Sequence, residues 1–271
     1  MHRLFIPSAL AGVILLATAA RAQISLISVD QEIQLGRQAQ KEVSAKVPRV
    51  TDRAVVSYVQ SVGRRLTARG GGPRYPYSFS IADYREINAF ALPGGPVWIH
   101  RGAISAARNE AQLASVIAHE IAHIAQRHAA DQLTKGLVAN GVIGLLGAVL
   151  GNDRSARSAQ IAAQVMANGY MLKFSRDDER EADRVGATIM RRAGWDAREM
   201  IAFMEILKQQ QGRDPGSVEI FLSSHPAPGE RAALLRSSLK GVSGGRRDSS
   251  EFQDIRARLK RLPPARSVPA R

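Results

Sequence analysis

Residues 109–128 read NEAQLASVIAHEIAHIAQRH, and this stretch decides the fold. Asn109 is a helix cap, with Gln112 three residues on as a variant of the capping box, so a helix is predicted from Glu110 to His128. Inside it lies His119-Glu120-Ile121-Ala122-His123. Four-residue spacing sets the two imidazoles about 40° apart on one helical face, within reach of a single metal ion. Between Gln112 and Gln126 the only formally charged side chain is Glu120, and it falls within the arc of Leu113, Val116, Ile117, Ile121 and Ile124. An ionised carboxylate among apolar neighbours needs a cation or a bound water, or it takes up a proton. A metal ion carrying a water molecule meets that need, which makes Glu120 the candidate general base.

A catalytic zinc takes a third protein ligand and leaves a fourth position for water. One class of zinc peptidases finds that ligand in a histidine six residues after the second, with a glycine between. Here those positions are Ala129 and Gln126, so the class is excluded. In a continuous helix His128 falls on the side opposite His119. The remaining candidates are downstream acids, clustered in Asp177-Asp178-Glu179-Arg180-Glu181-Ala182-Asp183.

Outward from this core, helical periodicity covers Gln31 to Lys46 and Asp52 to Ala68, where Val55, Val56, Val59, Val62 and Leu66 recur at helical spacing. Extended stretches follow at Tyr77 to Ala82, Asn88 to Leu92 and Val97 to His100, with Pro93-Gly94-Gly95-Pro96 turning between the last two. Leu137 to Leu150 is apolar and glycine-rich, too short to span a bilayer, and reads as a core hairpin or a membrane-facing lid. Helices are predicted from Ser175 toward Arg192, from Arg198 to Gln211, and over the amphipathic segment carrying Phe252, Ile255, Leu259 and Leu262. Gly241 to Gly245 reads as a linker. The fold class is α+β, mainly helical, with a small antiparallel sheet near the zinc helix. The domain plan is a signal peptide over 1–22, a catalytic domain over 23–262 and a disordered tail over 263–271.

The 271 residues are 45% hydrophobic, enough to bury a sizeable core. The absence of cysteine excludes disulfides, thiolate metal sites and a cysteine nucleophile. The net charge is +14, and Arg236 to Arg271 carries ten basic against three acidic residues, about half of that excess. The first residues show a basic start (His2, Arg3), an apolar run from Leu10 to Ala20 and a small-x-small site at Ala20-Arg21-Ala22. That pattern predicts export to the periplasm with cleavage after Ala22. Anionic lipid surfaces are then the expected partners of the positive charge, and nucleic acid is not.

His119-Glu120-x-x-His123 followed by Ser175-Arg176-x-x-Glu179-x-x-x-Asp183-x-x-Gly186 resembles the zinc metalloendopeptidases of the HtpX and BepA type, the gluzincin family that also includes the type I CAAX prenyl proteases. Asn88-Ala89-Phe90-Ala91-Leu92-Pro93-Gly94-Gly95, and His225-Pro226 with Arg231, resemble the family's edge-strand and downstream motifs, and the match as a whole is most similar to its exported branch. The resemblance runs in order over roughly residues 28 to 260. It implies one Zn²⁺ per chain, Glu179 as third ligand, and Asp183 orienting a ligand histidine through its free ring nitrogen. It leaves Glu181 a bystander. It also implies that Asn88, Ala89, Phe90, Ala91 and Leu92 form an edge strand that pairs with extended substrate. His225 is implied to lie near the metal, either occupying its open position at rest or donating to the oxyanion, with Arg231 supporting that loop. The implied function is hydrolysis of misfolded or unassembled envelope proteins; the competing class is a periplasmic chaperone with a latent zinc site.

Overall fold

The computed structural model describes residues 25–139 and 173–269. The predicted signal peptide and, beyond Ala139, the apolar run toward Leu150 lie outside the described residues.

Helix α1 (Val29–Lys46) starts at a capping box in which Ser28 and Gln31 bond reciprocally. Helix α2 (Arg53–Thr67) is capped by Asp52 and buries Val55, Tyr58, Val59, Val62 and Leu66 at helical spacing. Strands β1 (Ser78–Ala82), β2 (Ala89–Ala91) and β3 (Pro96–His100) follow. After a short α3 (Arg101–Ala106) comes α4 (Glu110–Ala125), in which every residue is buried. Then come α5 (His128–Ala139), α6 (Arg176–Arg192), α7 (Arg198–Arg213), a single 3₁₀ turn at Pro215–Ser217, α8 (Glu219–Ser224), α9 (Pro228–Ser238) and α10 (Ser250–Arg261).

Mainly helical α+β is the architecture observed, but the sheet is mixed rather than antiparallel. Its order is β1-β3-β2, with β2 antiparallel and β1 parallel to β3. The turn at Gly94 and Gly95, both at positive φ, folds β3 back along β2. Residues 83–88 are long enough to step over the end of β3, about 10 Å at ordinary strand spacing, so β1 and β2 flank it instead of pairing. β3 takes the centre because all five of its residues are buried.

Helix α4 is the axis of the molecule. The sheet, α2, α6 and α7 all pack against it, and their side chains form one core with Leu113, Ile117 and Ile121 at its middle. Gly186 of α6 sets the closest approach: a Cβ there would lie 3.2 Å from the carbonyl oxygen of Ala118. Residues 263–269, expected as a disordered tail, instead run beside the sheet, where Arg266 exchanges backbone hydrogen bonds with Asp83 and Arg85. Part of the basic C-terminal segment is paired. Arg246 meets Glu110, Arg247 meets Glu199 and Arg258 meets Asp52. Among the described residues no helix is long and apolar enough to cross a membrane.

Candidate metal centre

The middle of α4 places His119, Glu120 and His123 in the core, with 5%, 0% and 2% of their surfaces exposed. The second wall is α6, started by a capping box between Ser175 and Asp178. Its first turn holds three acids, favoured there by the helix dipole. Glu179 and Asp183, one helical turn apart, face α4 and are buried, whereas Glu181 points to the rim with its side chain 35% exposed.

Glu179 comes to both imidazoles. Its Oε1 is 3.3 Å from His123 Nε2 and its Oε2 is 3.5 Å from His119 Nε2, while the two Nε2 atoms are 3.0 Å apart. His225, in the turn after α8, joins them with Nδ1 at 2.9 Å from Glu179 Oε1 and 3.3 Å from His119 Nε2. One donor atom from each of His119, His123, Glu179 and His225 lies within 4.8 Å of the others. Borderline nitrogen donors plus one carboxylate form a donor set that fits zinc. Neither oxygen of Glu120 has a hydrogen-bond partner among the described residues, and His225 Nε2 lies 3.6 Å from its Oε1. A buried carboxylate left so is explained by a cation and water beside it.

Behind these donors His119 Nδ1 lies 3.1 Å from Asp183 Oδ1. Arg231 of α9 is buried, not solvated: it grips Asp183 with two bonds of 2.7 and 2.8 Å and reaches Glu179 Oε2 at 2.5 Å. Residues 54–239 match Peptidase family M48, more than half of the chain.

The chain belongs to peptidase family M48.

It is 33% identical over 217 residues to the beta-barrel assembly-enhancing protease of Escherichia coli (strain K12), a match covering 78% of this chain and 44% of that protein. The corresponding protein of Yersinia pestis is 31% identical over 215 residues, with 78% and 44% covered. The mitochondrial metalloendopeptidase OMA1 of Schizosaccharomyces pombe is 30% identical over 240 residues, 86% of this chain and 68% of the relative. The chain thus spans less than half the length of the assembly-enhancing proteases it matches.

In this M48 member the site's electrostatics divide the groups. Burial raises the Glu120 carboxyl, so without a cation it holds its proton more firmly than usual. Burial acts likewise on Glu179 and Asp183, but their partners win: His225, His119 and His123 hold Glu179 well below the carboxylate range, and Arg231 lowers Asp183. His119, despite burial, is raised to about 9 by Asp183 and Glu179, whereas burial pushes His123 well down.

Strand β2 is the edge of its sheet. Asn88 O and Leu92 N bond to His100 and Pro96, so the alternate residues Ala89 and Ala91 turn their backbone groups to the outer edge. Ala91, Leu92, Pro93 and Gly94 line one small cavity together with His123 and Phe174.

Sequence reasoning missed two neighbours. Phe174, just before α6, stacks on His123 with ring centroids 4.0 Å apart. His128 was placed on the far side of a continuous helix, but α4 ends at Ala125 and Arg127 turns the chain with φ of 62°. His128 therefore begins α5 and folds back onto His123. No glycine marks that break, so the sequence carried no signal for it.

Proposed function

We propose that the chain is a zinc-dependent metalloendopeptidase with His119, His123 and Glu179 as ligands and Glu120 as general base. The observation that carries this reading is the unpartnered, fully buried Glu120 carboxylate beside three converging donors. Zinc held by His119, His123 and Glu179 would supply Lewis acidity, bringing the pKa of water toward about 7 and polarising a peptide carbonyl. Glu120 accepts the proton of the attacking water and passes it to the leaving amine. Asp183 holds His119 in the tautomer that offers Nε2, and Arg231 keeps Asp183 and Glu179 ionised and in place. No covalent enzyme intermediate is required.

Extended polypeptide is the substrate class that this site serves. At the outer edge of β2, the backbone groups of the partly exposed Ala91 offer an extended chain bonds that are indifferent to side-chain sequence, as a protease of misfolded chains needs. The export pattern over residues 1–22 and the likeness to beta-barrel assembly-enhancing proteases support a periplasmic role in clearing misfolded or unassembled envelope proteins. The net positive charge supports peripheral contact with anionic membrane surfaces.

His225 closes the site at rest. Its Nδ1 stands among the candidate ligands, so water and substrate enter only when the turn after α8 withdraws. A chaperone with a permanently closed metal site would have no use for the orphan carboxylate of Glu120, and that favours the enzyme. Digestion of casein, with and without chelator, by the wild-type chain and by Glu120→Gln tests the proposal. Cleavage is expected only from the zinc-loaded wild type; equal cleavage by Glu120→Gln would overturn it.

A further inference from the structure

His123 has two ring nitrogens with different duties. Nε2 points into the donor cluster, at 3.0 Å from His119 Nε2 and 3.3 Å from Glu179 Oε1. Nδ1 points away and meets His128 Nδ1 at 2.9 Å. His128 is fully buried, and its Nε2 lies 3.5 Å from Glu181 Oε2.

A neutral imidazole that offers Nε2 to a metal keeps its proton on Nδ1. His123 Nδ1 must then donate, and His128 Nδ1 must accept with its lone pair. His128's own proton is consequently on Nε2, facing the Glu181 carboxylate. The two nitrogens can share one hydrogen bond only in this order, because two N–H groups would repel.

From this geometry we propose that His128 is a positioning residue: its Nδ1 fixes the ring plane and tautomer of His123 for the metal, and Glu181 selects the tautomer of His128. The proposal rests on the zinc reading above. The two ligand histidines are thus oriented by unlike groups, His119 by an ionised carboxylate and His123 by a neutral imidazole. The break at Arg127 makes this possible, since a helix running on through residue 128 would carry His128 away from His123. Arg127 is itself fixed to α1 by its 2.8 Å pair with Glu32 and a bond to the carbonyl of Ile27.

Zinc affinity, read by competition with a chromophoric chelator, and the visible spectrum of the cobalt-substituted protein test the proposal in three chains: wild type, His128→Leu and His128→Asn. Leucine fills the space but accepts nothing; the asparagine side-chain oxygen stands where Nδ1 stands. His128→Leu should bind zinc about 10- to 100-fold more weakly, with altered cobalt bands. His128→Asn should recover most of the loss. Equal weakening in both, or none in His128→Leu, overturns the proposal.

Should His128→Leu fail to fold, the wild type answers alone. Long-range ¹H–¹⁵N spectra of the zinc-loaded protein should show His128 protonated on Nε2 and bare on Nδ1, and a proton on Nδ1 overturns the assignment. A wild-type chain that takes up no zinc sinks the parent reading as well, whereas normal wild-type binding with an unaffected His128→Leu sinks this one only.

Discussion

Helix α4 buries two glutamates ten residues apart, and they could hardly be treated more differently. Glu110, in the first turn, receives bonds from Tyr58 at 3.0 Å, Trp195 at 2.6 Å, Arg246 at 2.5 Å and the hydroxyl of Ser249. It ties α2, the residues after α6 and the approach to α10 to one end of the central helix. Glu120, equally buried, has no hydrogen-bond partner among the described residues. Satisfying a buried carboxylate holds a fold together; leaving one unsatisfied costs stability and keeps a proton acceptor in reserve. On the proposed mechanism, the start of α4 serves stability and its middle serves chemistry.

Exchanging the two demands separates them. Glu120→Gln should lower casein hydrolysis by about 10²- to 10⁴-fold, the range of a lost general base, while the urea midpoint does not fall. A fall in the midpoint would mean that Glu120 also has a structural task. Glu110→Ala should do the opposite, costing about 2–4 kcal/mol in urea unfolding because the buried Tyr58 hydroxyl and Trp195 Nε1 lose their acceptor while the half-exposed Arg246 turns to solvent, with activity per folded, zinc-loaded molecule retained.

His225 gives a smaller effect. Its removal in His225→Ala should raise basal casein cleavage several-fold if the side chain caps the metal; a decrease would assign it to oxyanion stabilisation instead, and no change would remove both roles.

The smallest effect calibrates the scale. Asp52 caps α2 at the surface and pairs with Arg258, whose hydrogen bond lowers the carboxyl below its ordinary 3.8. Because the folded value is the lower one, this stabilisation is complete above pH 3.8 and is lost as the pH falls through the folded value. Asp52→Asn keeps the cap and removes the charge. Its urea midpoint should drop by the equivalent of about 1 kcal/mol or less at pH 7 and converge with wild type once the pH has fallen through the folded value.

The zinc-binding helix was legible in the sequence because a lone charge in an apolar stretch is a physical contradiction that only function resolves. Asn109 and Gln112 marked its start, and the structure shows Asn109 accepting from the Gln112 amide. Glu179 was legible only in part: spacing narrowed the choice to one acidic cluster, and the family resemblance chose within it. Strand direction was not legible, since alternation of side chains is the same in parallel and antiparallel pairs. Nor was His128, because the turn that returns it to His123 is made by an arginine in a left-handed conformation, where glycine would have been the signal.

The staple at Arg101 has a consequence in time. This guanidinium, at the base of α3, binds the carbonyls of Leu259 and Pro263 and the carboxylate of Asp83. Two of those acceptors come about 160 residues later in the chain. A nascent molecule lacking them holds this guanidinium beside β3 with Asp83 but without its two carbonyl acceptors, so the segment from Leu259 to Pro263 closes this corner only after the elements before it have been made.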